Sequence, residues 1–410
     1  MTHTEQILVG LEIGTSKTCA IVGEVLDAEN IQIIGIGQTA SQGVRKGEIV
    51  DMEAASQSIH DAIAEAEDSA QVEIHNVYAA VTGGHIRSFN NRGSVIIANE
   101  DGTITEEEVR NVLLNAKAVN IPHDHVIVHS IRRHFFVDGH DGIQNPVGML
   151  GARLEADVHI IHGVRTRLQN TIRCIKEVPL DLANIAVSSF ASSLAVLTTD
   201  DQQHGALVLD IGGGTTDYIA YVNGAVCHSG VLAVGGDHIT NDIAVGLRLP
   251  IPRAERLKME HGSVQWPTED ERITLKADLG LPDREISREK LCHIMNLRVE
   301  EMLTLVKKEV EKAGVLPLLR AGVFITGGCA RLRGLQALAE EVFGLPVHIG
   351  HSQTINGPTS AIESPEYSTA IGLLRFAVGC QPDQHHPPSW SHKLGEAFQI
   401  ILQRARSLFM

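Results

Sequence analysis

A chain of 410 residues with 43% hydrophobic content is long enough for two or more lobes, each with its own core, and too apolar to be disordered. Its formal net charge of −16 argues against a general nucleic-acid binder, which needs a basic face. The six cysteines (Cys19, Cys174, Cys227, Cys292, Cys329, Cys380) are scattered, without a C-x-x-C, and read as ordinary thiols of a reducing compartment. With no secretion signal pattern and no run of about 18 apolar residues, the sequence is expected to be cytoplasmic.

Residues 7–23 read as two apolar strands joined by a turn that carries Glu12, Gly14, Thr15, Ser16 and Lys17. A further strand over 31–37 leads to a loop rich in glycine and charge. Asp51 then opens a helix with Ala55, Ile59, Ala62, Ile63 and Ala66 on one face. A strand over 77–82 closes on Gly83 and Gly84. Strand, strand, strand, helix, strand is the order of one lobe of a ribonuclease-H-like fold.

Residues 85–163 break this rhythm and read as an inserted α+β subdomain. Its helix over 105–119 has a capping box from Thr105 and Glu108, with Val109, Val112, Leu113 and Ala116 as the buried stripe. Short alternating segments over 94–98, 126–136 and 156–162 read as strands. His123, His125, His129, His134, His159 and His162 have no spacing that matches a structural metal site and read as half-exposed strand histidines.

An amphipathic helix over 165–178 follows, then a strand running into a helix over 185–197. Residues 206–222 repeat the first hairpin in richer form. Gly212, Gly213 and Gly214 let backbone N–H groups approach an anion closely, and Thr215 and Thr216 add hydroxyl donors. Asp210, next to the turn, is suited to hold a cation through water beside phosphates, and Glu12 matches it in the first hairpin. Two such hairpins suggest a duplicated core whose lobes present facing loops to one nucleotide. Gly235, Gly236 and Asp237 precede a helix whose free N–H groups offer a second place for phosphate. A charged helical segment follows over 253–258. Apolar regularity is lost between Pro250 and Pro282, and Ser287 caps a long helix to Ala313, ended by Gly314. A strand over 321–326, then Gly327 and Gly328, then a helix over 332–343 make a turn against which an adenine or ribose can lie flat; the alternative is a plain β–α turn.

Residues 379–389 have linker composition. Beyond them, Leu394, Ala397, Phe398, Ile401, Leu402, Ala405, Leu408 and Phe409 fall within an arc of about 140° at helical spacing. Lys393, Arg404 and Arg406 flank that arc and Trp390 stands at its start. A basic amphipathic helix on an acidic body suits a membrane surface; a terminal helix packed on the body is the alternative.

The two hairpins, the connecting element over 188–197 and the glycine turn at 324–330 together resemble the actin, Hsp70 and sugar-kinase superfamily. The Gly43–Glu48 run, the inserted block, Asn145-Pro-Val-Gly148, the segment over 234–243 and the basic tail make the chain similar to the FtsA family of bacterial actin-like cell-division proteins. The resemblance covers nearly the whole chain from Ile7. It implies a two-lobed actin-like ATPase fold of duplicated ribonuclease-H-like domains: first-lobe core over 1–84 and 164–204, inserted subdomain over 85–163, second-lobe core over 205–240 and 317–378 with a return to the first lobe, a smaller subdomain over 241–316, linker over 379–389 and membrane-targeting helix over 390–410. It also implies ATP and Mg²⁺ between the lobes, self-assembly, docking of the FtsZ tail peptide on the smaller subdomain, recruitment of later division proteins, and a peripheral place on an anionic membrane at the division septum.

By position, Gly14, Thr15, Ser16, Lys17 and residues 212–216 are expected to meet the phosphates. Glu12 and Asp210 are expected to hold Mg²⁺ through waters, with Asp217 supporting. Gly235, Gly236 and Asp237 are expected near phosphate and ribose, Glu255 and Lys258 near adenosine, and Gly327 and Gly328 beside the base. Ser189 falls near the point that positions the attacking water. A short hydroxyl orients water poorly and is no base, so at most slow hydrolysis is expected. The rival readings are a small-molecule kinase of the same fold, for which no second catalytic base is found, and an actin-like binding module of pilus assembly, against which the tail speaks.

Overall fold

The computed structural model describes residues 6–27, 30–99, 101–267, 271–277, 282–352 and 355–380. The linker over 379–389 beyond Cys380 and the amphipathic segment over 390–410 lie outside them.

The first lobe opens with β1 (Gln6–Ile13), β2 (Lys17–Val25) and β3 (Ile31–Ala40), an antiparallel meander. A small hairpin, β4 (Val44–Arg45) and β5 (Glu48–Ile49), turns through Lys46 and Gly47, both at positive φ (51° and 74°). Asp51 caps α1 (Met52–Ala70) by accepting from the Ala54 N–H, and all five predicted stripe residues are buried. β6 (Asn76–Val81) then pairs parallel to β1.

The inserted unit is β7 (Arg87–Ile96), α2 (Glu106–Lys117), β8 (His125–Val137), β9 (His140–Ile143) and β10 (Arg153–Val164), a four-stranded antiparallel sheet of order β7-β10-β8-β9. The Thr105–Glu108 capping box forms as the sequence predicts. The chain returns to the first lobe through α3 (Arg165–Glu177) and β11 (Asp181–Val187), which completes a sheet of order β11-β6-β1-β2-β3.

α4 (Ser188–Val196) and α5 (Thr199–His204) lead into the second lobe. There β12 (Ala206–Ile211), β13 (Thr216–Val222) and β14 (Ala225–Leu232) repeat the meander. α6 (Gly236–Leu247), α7 (Ile251–His261), the hairpin β15 (Arg272–Leu275) and β16 (Arg284–Ser287), and α8 (Arg288–Lys312) follow, sharing one apolar cluster with β12. β17 (Gly322–Thr326), α9 (Leu335–Phe343) and β18 (Val347–Ile349) close a sheet of order β14-β13-β12-β17-β18. Each lobe is thus three antiparallel strands followed by two parallel ones, the same sheet built twice. The helix predicted over 332–343 starts three residues late, because Gly334 sits at φ 83° and a short 3-10 turn fills the place before it.

The chain ends its described path with α10 (Thr359–Ile362) and α11 (Ser368–Gly379). α11 is apolar on all sides and buried along nearly its whole length, packed on α4 and β1 of the first lobe. Glycine permits that approach: a Cβ at Gly372 would stand 1.8 Å from the Ala191 carbonyl oxygen, and one at Gly10 2.3 Å from that of Ala370. A single apolar cluster runs from Leu8 and Ile21 through Phe190, Ala191 and Ile371 to Val208 and Tyr221. The two lobes therefore share a core along α4 and α11.

The insert leans on the second lobe as well. Ser229 of β14 donates to His159 Nε2 (2.8 Å), His159 Nδ1 donates to Asn90 Oδ1 (2.7 Å), and Asn90 Nδ2 donates to the Cys227 carbonyl (2.8 Å). This corrects the expectation of half-exposed strand histidines at three positions; His125 and His134 are half-buried as expected, and His123 is exposed. His129, His159 and His162 are buried, His129 against Phe190 and Phe376 and His159 under Ser229 of β14. Burial pushes His129 and His159 down to about 3, so both stay neutral.

Candidate functional site

Between the lobes, the turn after β1 faces the turn after β12. Each is a tight hairpin closed by one backbone bond, Gly14 N–H to the Lys17 carbonyl and Gly212 N–H to the Thr215 carbonyl, both 2.9 Å. The two turns touch. A Cβ at Gly213 would lie 1.9 Å from Ser16 Oγ, and one at Gly214 2.4 Å from Thr15 Oγ1 and 2.8 Å from Lys46 Cα. The Gly47 N–H donates to Thr15 Oγ1 (3.0 Å), so the β4–β5 turn buttresses the first hairpin. Thr15 and Ser16 thus gather with Thr215 around backbone stripped of side chains, a setting suited to phosphate oxygens, whereas Thr216, expected to meet phosphate, is buried and donates its hydroxyl to the Val234 carbonyl (2.9 Å).

The carboxylates collect behind these turns. Asp210 and Asp217 are cross-strand partners. Thr369 of α11 donates to Asp210 Oδ2 (2.6 Å), and Thr82, just past β6, donates to Asp217 Oδ1 (2.6 Å), a hydrogen bond from one lobe to the other. Burial drives both aspartates well above the usual carboxylate range; the charge of Glu12 adds to the rise at Asp210, and that of Asp210 to the rise at Asp217. A cation nearby would relieve that repulsion. Among the described residues no group of three or more His, Cys, Asp or Glu side chains is placed to hold a metal ion.

Lys17, expected to meet phosphate, stands at the end of the first turn beside Glu12. Its ammonium pairs with Glu12 (2.9 Å) and lies 5.2 Å from the centre of the Tyr367 ring. Burial alone would weaken its hold on its proton, but the Glu12 carboxylate outweighs that and keeps it charged.

α6 also differs from expectation. The N–H groups of Gly236 and Asp237 donate to the Gly212 and Gly213 carbonyls (2.9 and 2.8 Å), and that of Gly235 to His238 Nδ1 (3.2 Å). They are not free for phosphate in this structure; they lock α6 to the second hairpin. The reason is steric: only at Gly235, where a Cβ would stand 2.6 Å from the Gly212 oxygen, can the chain come so near.

On the far side of α6, Lys258 donates to Thr240 Oγ1 (2.9 Å) and the Gly236 carbonyl (3.3 Å) and pairs with Glu255 (2.8 Å), which also takes the Thr240 hydroxyl. Gly327 (φ 82°) abuts β12, where a Cβ would meet Asp210 Oδ1 at 2.5 Å, and a Cβ at Gly328 would meet nothing within 4 Å. Glu255, Lys258, Gly327 and Gly328 therefore border the same region as Gly235, Gly236 and Asp237, with Cys329 Sγ against the Gly212 carbonyl (3.5 Å) between them.

Ser189 is buried in the first turn of α4, and its carbonyl accepts from Ser192. It is Ser192, one turn on, that hydrogen-bonds Asp210. Sequence reasoning missed Ser192, Thr82, Thr240, Tyr367 and Thr369. The paired hydroxyls Ser368 and Thr369 opening an apolar helix were the available signal for the last of these.

Comparison with known proteins agrees with this architecture. A family model for the cell division protein FtsA matches residues 207–372, and one for the SHS2 domain inserted in FtsA matches residues 83–162. The chain is 38% identical over 409 residues to cell division protein FtsA of Neisseria meningitidis, covering 99% of this chain and 98% of that one. It is 37% identical over 380 residues to that of Pseudomonas aeruginosa (92% and 91% covered) and to that of Escherichia coli K12 (90% and 90%). Among solved structures it resembles the PilM–PilN type IV pilus biogenesis complex (TM-score 0.66, 17% identity, 92% and 99% covered). It also resembles the ADP-bound MreB5 protein of Spiroplasma citri (0.54, 17%, 90% and 96%) and the MamK double helical filament (0.51, 12%, 93% and 99%).

Proposed function

The chain belongs to the FtsA family of cell division proteins, and from that premise we propose that it binds ATP between its two hairpins, self-assembles, and tethers the FtsZ ring to the cytoplasmic membrane. That it is a cell-division protein with an actin-like fold is the established part. The nucleotide, the assembly and the tether are the proposal.

One observation carries the nucleotide reading: Gly213 and Gly214 leave no room for a Cβ where Ser16 and Thr15 approach. Gly14, Thr15, Ser16 and residues 212–216 take the phosphates, and Lys17 reaches them from its place beside Glu12. Glu12 and Asp210 hold hydrated Mg²⁺, with Asp217 supporting them. Gly235, Gly236 and Asp237 lie by the ribose, Glu255 and Lys258 by the adenosine, and Gly327 and Gly328 flank the base. Bound ATP supplies the charge that draws the two hairpins onto one ligand, a closure that favours assembly. Hydrolysis is slow, because Ser189 is buried and offers only a hydroxyl. The chain divides as its sequence suggests, with the smaller subdomain over 241–316 receiving the FtsZ tail peptide and later division proteins joining the assembly.

The membrane reading is supported by the segment over 390–410. Lys393, Arg404, Arg406 and Trp390 border its apolar face, and Leu394, Phe398, Ile401, Leu402, Leu408 and Phe409 enter the lipid. Among the described residues no helix is long and apolar enough to cross a membrane. One such helix binds lipid reversibly, and an assembly carrying many binds tightly. The pilus-module reading rests on likeness at 17% identity, which shows the fold alone.

Titration with a fluorescent ATP analogue tests the site. The chain is expected to bind it, and Gly213→Val, which drives a side chain into Ser16, is expected to weaken binding by about tenfold or more. Equal affinity in both would put the nucleotide elsewhere.

A further inference from the structure

Beside the hairpins lies a cleft of about 640 Å³ whose walls are the β4–β5 turn, the segment after β6, the start of α3 and Ala233 of the second lobe. Arg45, Lys46, Arg87 and Arg167 line it, against one carboxylate, Glu48. Such a concentration of cations is at odds with a chain of net charge −16. Only part of it is neutralised within the fold. Glu48 is ion-paired with Arg167. Arg87 spends one terminal nitrogen on the Gly84 and Ile86 carbonyls (2.8 and 3.0 Å), which anchors the guanidinium at the rim with its remaining N–H groups unspent among the described residues. Arg45 and Lys46 are exposed and form no side-chain hydrogen bond or ion pair among the described residues.

Two imidazoles join the wall. His85 Nδ1 accepts from the Val164 N–H (3.2 Å), which leaves the ring proton on Nε2 as a donor. Burial, with Arg167, His125 and Arg87 acting against Glu48, pushes His85 down to about 4, so it is neutral and not one more cation. Lys46 stands at the crest between this cleft and the hairpins, held at φ 51°, a conformation that costs a non-glycine residue energy. The adjoining Gly47 N–H bonds Thr15 of the first hairpin. The same turn therefore walls both places. Guanidinium groups, an ammonium and a neutral N–H donor lining one cleft are the donor chemistry that suits a tetrahedral oxyanion.

We propose that this cleft is an oxyanion site lateral to the hairpins, in which Arg45, Lys46, Arg87 and Arg167 take a phosphate dianion. The chemistry is shared by inorganic phosphate and by a phosphate monoester.

The test is calorimetric titration of the full chain at constant ionic strength with inorganic phosphate and, separately, with glycerol phosphate, before and after saturation with a non-hydrolysable ATP analogue. Saturable binding that survives the analogue is expected, with affinity about tenfold or more lower in the double variant Arg45→Gln, Arg87→Gln; both positions are exposed, and an analogue affinity and melting temperature equal to the parent's show that the variant is folded. The better of the two titrants identifies the source. Absence of saturable binding, equal affinity in the variant, or binding abolished by the analogue would overturn the proposal. Analogue binding is read in the same samples, so a failure of the nucleotide site and a failure of the cleft are told apart.

Discussion

His159 shows how a single residue is misread when only local pattern is available. Its neighbours alternate as they do in any strand, and nothing nearby says that β14 of the other lobe will cover it. In the fold it accepts from Ser229 and donates to Asn90, which requires a neutral ring. Since its folded pKa of about 3 lies below the ordinary 6.5, its contribution to stability is complete above pH 6.5 and is lost as pH falls towards 3. At pH 5 the loss is about 2 kcal/mol. His159→Gln is therefore expected to melt lower than the parent at pH 8 and to lose less on going to pH 5; a parallel fall in both would show that the imidazole does not titrate against the fold. The site residues divide the same way. Glycines and hydroxyls adjacent in sequence were legible because one turn brings them together. Thr82 and Thr369, which hold Asp217 and Asp210, come from elements far away in the chain, and only Thr369, beside Ser368 at the head of an apolar helix, carries a local hint.

Among elements, those with strong local chemistry were readable: the Asp51 cap of α1, the capping box of α2, and α8 between Ser287 and Gly314. α11 was the least legible. Ala370, Ile371, Leu373, Leu374, Phe376 and Ala377 leave it no polar face, so its period says nothing about which lobe it joins. Its place is set by missing side chains, at Gly372 against Ala191 and at Gly10 against Ala370. Gly372→Ala puts a methyl 1.8 Å from a backbone oxygen that helix packing holds still. A cost of about 3 kcal/mol or more is expected, visible as a clear fall in melting temperature; an unchanged melt would mean that α11 and α4 separate without cost. Because α11 also presents Thr369 to Asp210, the same substitution is expected to weaken nucleotide binding.

At the scale of the whole molecule, the duplicated sheet order was legible from the repeated hairpin, and the insert from its glycine borders. The insert's grip on β14 was not, because it depends on pairings across lobes. The architecture places carboxylates and hydroxyls from both lobes on one cleft, with α4 and α11 as a shared core beneath. A ligand there bears on the relation between the lobes, and in an assembly that relation is presented many times over. Under the proposed function, the tail segment over 390–410 would turn assembly into membrane attachment through avidity. Co-sedimentation with anionic vesicles in the presence of ATP tests this most directly, comparing the full chain with one ending at Gly379. The full chain is expected in the pellet, less so without nucleotide, and the shortened chain in the supernatant. If both stay in the supernatant, or both pellet to the same extent, the tether account fails.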